Sequence, residues 1–93
     1  MTQLTRFEAS KYLVDEATIG EFLSAALEDS NPDVFLRSLQ EVAKARGMAQ
    51  LAKDAGMNRE SLYKALAPGA KPRYDTVLRL ISALGLRLSA HPS

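Results

Sequence analysis

Apolar residues recur at helical spacing in separate segments of the chain. Between residues 16 and 28 they lie three and four positions apart, the pattern of an amphipathic helix. These apolar positions are Ile19, Phe22, Leu23, Ala26 and Leu27. A second helix is predicted from Pro32 to about Arg46, because Asn31 is a good N-cap and proline suits the first helical position. The expected inner face of this second helix is Phe35, Leu39, Val42 and Ala43.

Residues 48–66, MAQLAKDAGMNRESLYKAL, predict two short helices joined by a tight turn. Gly56 suits the left-handed conformation that ends a helix, and Asn58 is a good N-cap for the helix that follows. Apolar spacing turns Leu62 and Leu66 inward. The polar positions left facing outward are Arg59, Glu60, Ser61, Tyr63 and Lys64. This pattern is typical of a helix-turn-helix motif, whose second helix enters the DNA major groove, although a plain helical hairpin in a small bundle would fit it too.

The remainder of the chain predicts a loop, a helix and a short strand. Residues 67–73 contain two prolines and a glycine, and therefore form a loop. A helix from about Tyr74 to Leu84 should turn its apolar residues inward, namely Val77, Leu78, Ile81 and Leu84. Residues 86–90 then alternate apolar Leu86 and Leu88 with polar residues, which predicts a strand. Such a strand must pair with the N-terminal segment or with its copy in a second subunit, so Leu86 and Leu88 are candidate dimerisation residues.

Composition limits the classes of protein that fit this pattern. With 93 residues the chain is one small all-α domain of about five helices, whose marginal core favours oligomerisation. The absence of cysteine excludes disulfides and thiolate metal sites, and agrees with a reducing cytoplasm. No apolar run approaches the roughly 20 residues of a membrane span, and there is no signal peptide. We find no nucleophile–base pair, no phosphate-binding glycine-rich loop and no metal-ligand cluster, so an enzyme, a metal or another cofactor is not expected.

Charge divides the chain into two unlike halves. Residues 1–41 contain three basic and eight acidic residues, a net charge of −5. Residues 42–93 contain nine basic and three acidic residues, a net charge of +6. The basic half suits phosphate, whereas the acidic half suits a basic partner or forms an ordinary solvated surface. Phe7 and Tyr12, in a poorly periodic segment, would anchor either on such a partner or on the chain's own helices.

The runs GMAQLAKDAGMNRESLYKAL and KPRYDTVLRLISALGLRL resemble the HigA-like addiction-module antidotes, a branch of the Xre, lambda-repressor-like helix-turn-helix family. FEASKYL, FLSAALED and NPDVFLRSLQEVAKARGM extend this resemblance over nearly the whole chain. The resemblance implies a lambda-repressor-like bundle and an antitoxin of a type II toxin–antitoxin module. Such a protein neutralises a small basic RelE/ParE-like (HigB-like) toxin, and it also binds operator DNA as a homodimer to repress its own operon. Residues 1–30 would then be a toxin-contacting element, and residues 31–93 the DNA-binding domain.

The resemblance also assigns roles to single residues. Arg59 would hydrogen-bond a guanine, Lys64 would meet phosphate, and Glu60 would accept from cytosine or exclude a wrong base. The full set of expected DNA contacts is Gln50, Asn58, Arg59, Glu60, Ser61, Tyr63, Lys64, Lys71 and Arg73, the last two on the phosphate backbone. The expected toxin contacts are Phe7, Tyr12, Asp15, Glu16, Glu21 and Phe22. Ala49 stands where relatives have a Ser or Thr N-cap, so it is left out of the contact set.

Two other functions agree with the same residues. A stand-alone prophage-type regulator would bind DNA in the same way and have no toxin partner. A protein-binding helical adaptor would use the same amphipathic helices without binding DNA. A short toxin-like reading frame beside the gene would distinguish the antitoxin from the stand-alone regulator. Salt-dependent binding to the native promoter would distinguish a DNA-binding protein from the adaptor.

Overall fold

Five helices make up the regular structure of residues 15–93, the part of the chain that this computed structural model describes. The helices are α1 (Glu16–Leu27), α2 (Pro32–Arg46), α3 (Met48–Asp54), α4 (Arg59–Ala65) and α5 (Tyr74–Ala83). The prediction of an all-α chain with about five helices is confirmed. Residues 1–14, which include Phe7 and Tyr12 of the poorly periodic segment, lie outside the described residues.

Side chains and glycines at the helix ends explain where the helices begin and stop. The Asn31 side chain accepts a hydrogen bond from the Asp33 N–H at 3.0 Å, and Pro32 is the first residue of α2. Gly47 ends α2 with a backbone φ of 101° and is also the N-cap of α3. The expectation that Ala49 occupies the N-cap position is therefore wrong, because α3 begins one residue before it and Ala49 lies within the first turn.

One hydrophobic core is shared by all five helices. Its largest fully buried side chains are Ile19, Leu39, Val42, Leu51, Leu62, Leu80, Ile81 and Leu84. Helix α1 packs against α2, while α3 contacts α2, α4 and α5. Helix α3 thus lies in the middle of the fold, and α4 packs mainly against it. Among the described residues, Glu41 on α2 is the charged residue buried with this core, a position that apolar periodicity did not indicate.

The turn between α3 and α4 reverses the chain within four residues. Gly56 has a φ of 68°, in the left-handed region that side chains with a Cβ disfavour. The Met57 N–H donates to the Ala52 carbonyl oxygen at 2.9 Å, and the Gly56 N–H donates to that of Lys53 at 3.1 Å. These bonds satisfy carbonyl groups at the end of α3, as a left-handed C-cap does. Met57 is half-buried beside the core rather than fully enclosed by it.

Four apolar residues predicted to face inward are less buried than expected. Leu27 is 49% exposed and Leu78 is 37% exposed, while Phe22 and Val77 are half-buried. Leu27 is the last residue of α1, where the helix ends before a neighbour covers the side chain. On α5 the buried stripe passes through Leu80, Ile81 and Leu84 instead, which leaves Leu78 at its outer border. Periodicity thus placed these residues on the apolar side of each helix, but it did not show whether another element covers them.

The predicted C-terminal strand at residues 86–90 is wrong, since residues 15–93 contain no strand. The Leu86 N–H donates to the Ile81 carbonyl oxygen at 3.1 Å, which closes the end of α5. Leu86 and Leu88 are half-buried and pack against the core. The alternation of Leu86 and Leu88 with polar residues instead reflects an extended segment that lies against the helices. This segment has no neighbouring strand among the described residues.

Two glycine substitutions should have opposite effects on stability. Gly56→Ala forces a Cβ into a left-handed conformation and should lower the free energy of unfolding by about 1–2 kcal/mol. Gly20→Ala, inside α1, places its Cβ at an ordinary contact distance of 3.5 Å from Leu86. This substitution should raise the free energy of unfolding by about 0.5–1 kcal/mol. Urea denaturation monitored by circular dichroism measures both values. Equal stability of wild type and Gly56→Ala would contradict the strained turn.

Candidate nucleic-acid interface

Helix α4 is held between a capped first turn and a buried inner side. The Asn58 side chain accepts a hydrogen bond from the Ser61 N–H at 2.7 Å, as its predicted role as N-cap requires. Leu62 and Leu66 are buried on the inner side. A helix of seven residues is too short to be stable alone, so these contacts set its position. Because its amide oxygen serves the cap, Asn58 keeps mainly its NH₂ group for an external acceptor.

The outer side of α4 is polar and exposed. All five side chains predicted to face outward do so: Arg59, Glu60, Ser61, Tyr63 and Lys64. The guanidinium carbon of Arg59 lies 5.7 Å from the centroid of the Tyr63 ring, within cation–π range. Tyr63 is 49% exposed, so its ring supports the arginine and still reaches solvent. This contact restricts the arginine side chain before any ligand binds.

The other predicted DNA contacts are exposed on α3 and on the loop after α4. Gln50 Nε2 donates to Asp54 Oδ1 at 2.8 Å along α3. Lys71 is exposed, and Arg73 Nε lies 3.1 Å from Asp75 Oδ1 in an ion pair whose side chains are 85% and 61% exposed. Exposed pairs of this kind are weak, so a phosphate can compete for the arginine. Sequence reasoning had anticipated neither of these two pairings.

Among the described residues, those expected to contact a toxin differ in how exposed they are. Phe7 and Tyr12 lie outside the described residues. Glu16 and Glu21 are exposed on α1, whereas Phe22 is half-buried and packs against the core. Asp15 is the N-cap of α1, and it accepts from the Thr18 N–H at 2.7 Å and from the Thr18 hydroxyl at 3.1 Å.

These hydrogen bonds have an electrostatic consequence for Asp15. The bond from the Thr18 N–H, followed by the bond from its hydroxyl, lowers the pKa of the Asp15 carboxyl below its ordinary value of 3.8. Both bonds favour the charged form. Asp15 therefore stays negatively charged at neutral pH and contributes to the acidic end of α1.

A groove between α2 and the loop after α4 was not predicted from the sequence. Its volume is about 430 Å³, and its lining includes the basic side chains of Arg37 and Lys44. At its inner side Gln40 Nε2 donates to the Leu66 carbonyl oxygen at 2.8 Å, which holds the end of α4 against α2. The sequence signal that could have indicated this groove was the spacing of Arg37 and Lys44, which are seven residues, or about two helical turns, apart. The Gln40 bond joins positions 26 residues apart, and no local pattern indicates it.

Residues 15–93 contain no group of three or more His, Cys, Asp or Glu side chains arranged to hold a metal ion. In the same part of the chain, no helix has the length and apolar character needed to cross a bilayer.

These features define a small helical protein that presents one short polar helix to solvent, supported by a buried stripe. The chain belongs to the family described as "Probable addiction module antidote protein", which matches residues 3–92. It is also similar to an uncharacterised protein of Haemophilus influenzae, with 37% identity over 91 residues, 98% of this chain and 94% of that protein. No solved structure matches the chain. Membership of an antidote family implies an antitoxin role in an addiction module and a toxin partner of some kind.

The Asp15 cap should make part of the protein's stability depend on pH. Because the folded-state pKa is depressed, the stabilisation is complete above the ordinary value of 3.8 and is lost as pH falls through the folded-state pKa. Asp15→Asn keeps an acceptor for the cap but cannot ionise. The difference in melting temperature between wild type and Asp15→Asn should be constant well above pH 3.8 and shrink below it. A difference that does not change with pH would contradict the lowered pKa.

Proposed function

We propose that this chain is an antitoxin that neutralises a RelE/ParE-like (HigB-like) toxin and represses its own operon by binding operator DNA through α4. The observation that supports the DNA-binding part is the build of α4, the second of two seven-residue helices joined by a tight turn. Leu62 is fully buried on one side, while a row of polar and charged side chains faces solvent on the other. A recognition helix needs this combination of a fixed backbone and an exposed polar face.

Arg59 is the proposed base-reading residue. A guanidinium donates two parallel hydrogen bonds to guanine O6 and N7, the commonest specific contact in the major groove. The Tyr63 ring, 5.7 Å from its guanidinium carbon, restricts the side chain before binding. Ordering a long side chain costs roughly 0.5–1.5 kcal/mol on association, so this restriction favours binding. Glu60 would accept from a cytosine amino group or repel a wrong base, and Lys64 would contact phosphate.

Phosphate contacts would fix the orientation of α4 on the duplex. The expected residues are Lys71 and Arg73 on the loop after α4, while Gln50 on α3 would contact either backbone or base; all three are exposed. Residues 42–93 carry a net charge of +6, which favours association with a polyanion. The weak Arg73–Asp75 and Gln50–Asp54 contacts would be exchanged for contacts with DNA.

The acidic N-terminal half is the proposed toxin-binding part. Asp15, Glu16 and Glu21 are exposed, and they lie on or directly before α1. A basic toxin would be attracted to this end of the molecule, which would also leave α4 free for DNA. Antidote-family membership supports a toxin partner over a stand-alone regulator. Both proposed activities are binding activities, and the proposal assigns no catalytic residue.

Co-expression with the neighbouring reading frame tests the proposal most directly. Tagged antitoxin is expected to retain the neighbouring protein in a pull-down and to relieve its growth inhibition. The purified antitoxin is expected to shift its own promoter fragment and not a scrambled fragment of equal length. Retention of the neighbour without a promoter shift would leave a protein-binding adaptor. A promoter shift without a bound neighbour would leave a stand-alone regulator.

Arg59→Ala should weaken specific operator binding by about 1–3 kcal/mol and relax the preference at one base position. Arg59→Lys keeps the charge but loses the planar fork, so it should lose the base preference and retain the salt dependence. Arg37→Ala, an exposed arginine on α2, is the control and should leave the base preference unchanged. Binding to a library of operator variants measures all three, and an unaltered preference in Arg59→Ala would remove the assigned role.

Lys71→Ala should weaken binding to every DNA sequence similarly and reduce the slope of log affinity against log salt by about one. The reason is that one phosphate contact releases about one counterion. Lys44→Ala removes an exposed lysine with no assigned contact and should keep the wild-type slope. Titrations at several salt concentrations provide the comparison. The phosphate contact is refuted if Lys71→Ala retains the slope of wild type.

A further inference from the structure

The Tyr63 ring keeps free apolar area after its contact with Arg59. Its side chain is 49% exposed, and the guanidinium carbon of Arg59 lies over the ring, 5.7 Å from the centroid. One guanidinium covers at most one face of an aromatic ring, so the edge and the other face remain available to a ligand. Tyr63 is also the large aromatic side chain in an outward row that is otherwise charged or hydroxylated. Support for Arg59 therefore does not use up the ring.

The separation of Arg59 and Tyr63 fits the spacing of neighbouring base pairs. The two residues are one turn apart on the same side of α4. Successive bases of a DNA strand are about 3.4 Å apart, so the 5.7 Å between guanidinium and ring lies between one and two base steps. The planar guanidinium lies close to the plane of a guanine that it binds through two hydrogen bonds. The Tyr63 ring then lies at the level of an adjoining base pair.

The chemistry of the ring indicates which base suits that position. In the major groove the base edges present hydrogen-bond donors and acceptors, and the one apolar group is the C5-methyl of thymine. An aromatic ring pressed against a donor or acceptor would remove water from that group and give it no partner, which is unfavourable. Against a methyl group the same contact buries apolar area on both sides. Tyr63 thus favours thymine over the other three bases.

We propose that Tyr63 determines specificity by contacting the C5-methyl group of a thymine in the base pair next to the guanine bound by Arg59. The inference rests on the proposed function, because it requires α4 to lie in the major groove of the operator. The two side chains act as one unit, in which the arginine recognises guanine and the ring recognises the methyl group beside it. A 5-methylcytosine presents the same methyl group, so methylation of a cytosine placed at this position would strengthen binding.

Single-atom changes in the promoter DNA provide the sharpest test. Replacing guanines one at a time by 7-deazaguanine removes the N7 acceptor, and the guanine whose replacement weakens wild type but not Arg59→Ala is the one that Arg59 binds. Replacing thymines one at a time by deoxyuridine then removes only the methyl group. We expect the dissociation constant to rise about fourfold, the effect of one buried methyl group, at a thymine in a base pair adjoining that guanine. Competition experiments monitored by fluorescence anisotropy measure each constant.

Variants of the protein separate the ring from the hydroxyl group. Tyr63→Ala should bind the thymine and deoxyuridine operators equally, because the group that contacts the methyl is gone. Tyr63→Phe keeps the ring and should retain the fourfold difference, whereas a tyrosine that used its hydroxyl on phosphate or base would lose its effect in this variant. Tyr74→Ala, which removes a 70% exposed tyrosine on α5, is the matched control and should also retain the difference. Circular dichroism confirms that the variants are folded.

Addition of the methyl group in another base provides an independent check. An operator with cytosine in place of the thymine should bind wild type more weakly, and 5-methylcytosine at the same position should bind about fourfold more tightly than cytosine. Tyr63→Ala should not distinguish cytosine from 5-methylcytosine. This comparison leaves the protein unchanged for the wild-type measurements, so it decides the question even if a Tyr63 variant does not fold.

Three outcomes would overturn the assignment of Tyr63 while leaving operator binding intact. These are an operator with no thymine in either base pair adjoining the guanine, a deoxyuridine operator that binds wild type as tightly as the thymine operator, and a methyl effect that persists in Tyr63→Ala. In each of these cases the ring would only support Arg59. A wild-type protein that does not bind its promoter would refute the proposed operator binding, and this inference with it.

Discussion

Burial of two leucines, Leu51 on α3 and Leu62 on α4, is the interaction on which the exposed α4 surface depends. Each of these helices has only seven residues, well below the roughly 12–15 that an isolated helix needs for even marginal stability in water. Both leucines are completely buried, as are core side chains from α1, α2 and α5. The position of the polar row on α4 is therefore a property of the whole core. Loss of packing anywhere in this core would therefore shift α4, even when no residue on its outer face is changed.

The same packing explains why a short chain can have several separate surfaces. Helix α1 lies against α2, whereas α4 packs mainly against α3. The exposed acids Glu16 and Glu21 belong to α1, and the exposed bases Arg59 and Lys64 belong to α4. Charges of opposite sign are thus carried by helices that attach to different parts of the core. This arrangement allows an acidic surface and a basic surface to attract different partners from one small domain.

Local signals predicted much of the fold and of the candidate site. The bounds of α2, the caps at Asn31 and Asn58, and the outward side chains of α4 were all predicted, because each depends on residues close together in sequence. The Gln40–Leu66 bond was not, since it joins residues 26 positions apart.

The remaining misses have two physical causes, the cover supplied by other elements and the choice of partners open to exposed polar side chains. The exposure of Leu27 and Leu78 depends on whether another element covers them, which periodicity does not report. Alternation at residues 86–90 likewise fits a strand or an extended segment on helices, and only the neighbouring elements distinguish the two. Within the candidate site, the side-chain pairs Gln50–Asp54 and Arg73–Asp75 were missed because exposed polar residues have several partners within reach.

A comparison of Tyr63 and Tyr74 shows how different surroundings give similar side chains different surface chemistry. Both rings are exposed, at 49% and 70%. Tyr63 has a cation over its face and stands in a row of charged and polar residues, so its apolar area is broken up and suits a hydrated, anionic ligand. Tyr74 borders a groove lined by Leu27, Phe35 and Leu88, so its apolar area is continuous and gains most from a partner that excludes water. Exposure alone therefore does not show which kind of ligand an aromatic side chain suits; the chemistry within one helical turn and across the adjoining groove does.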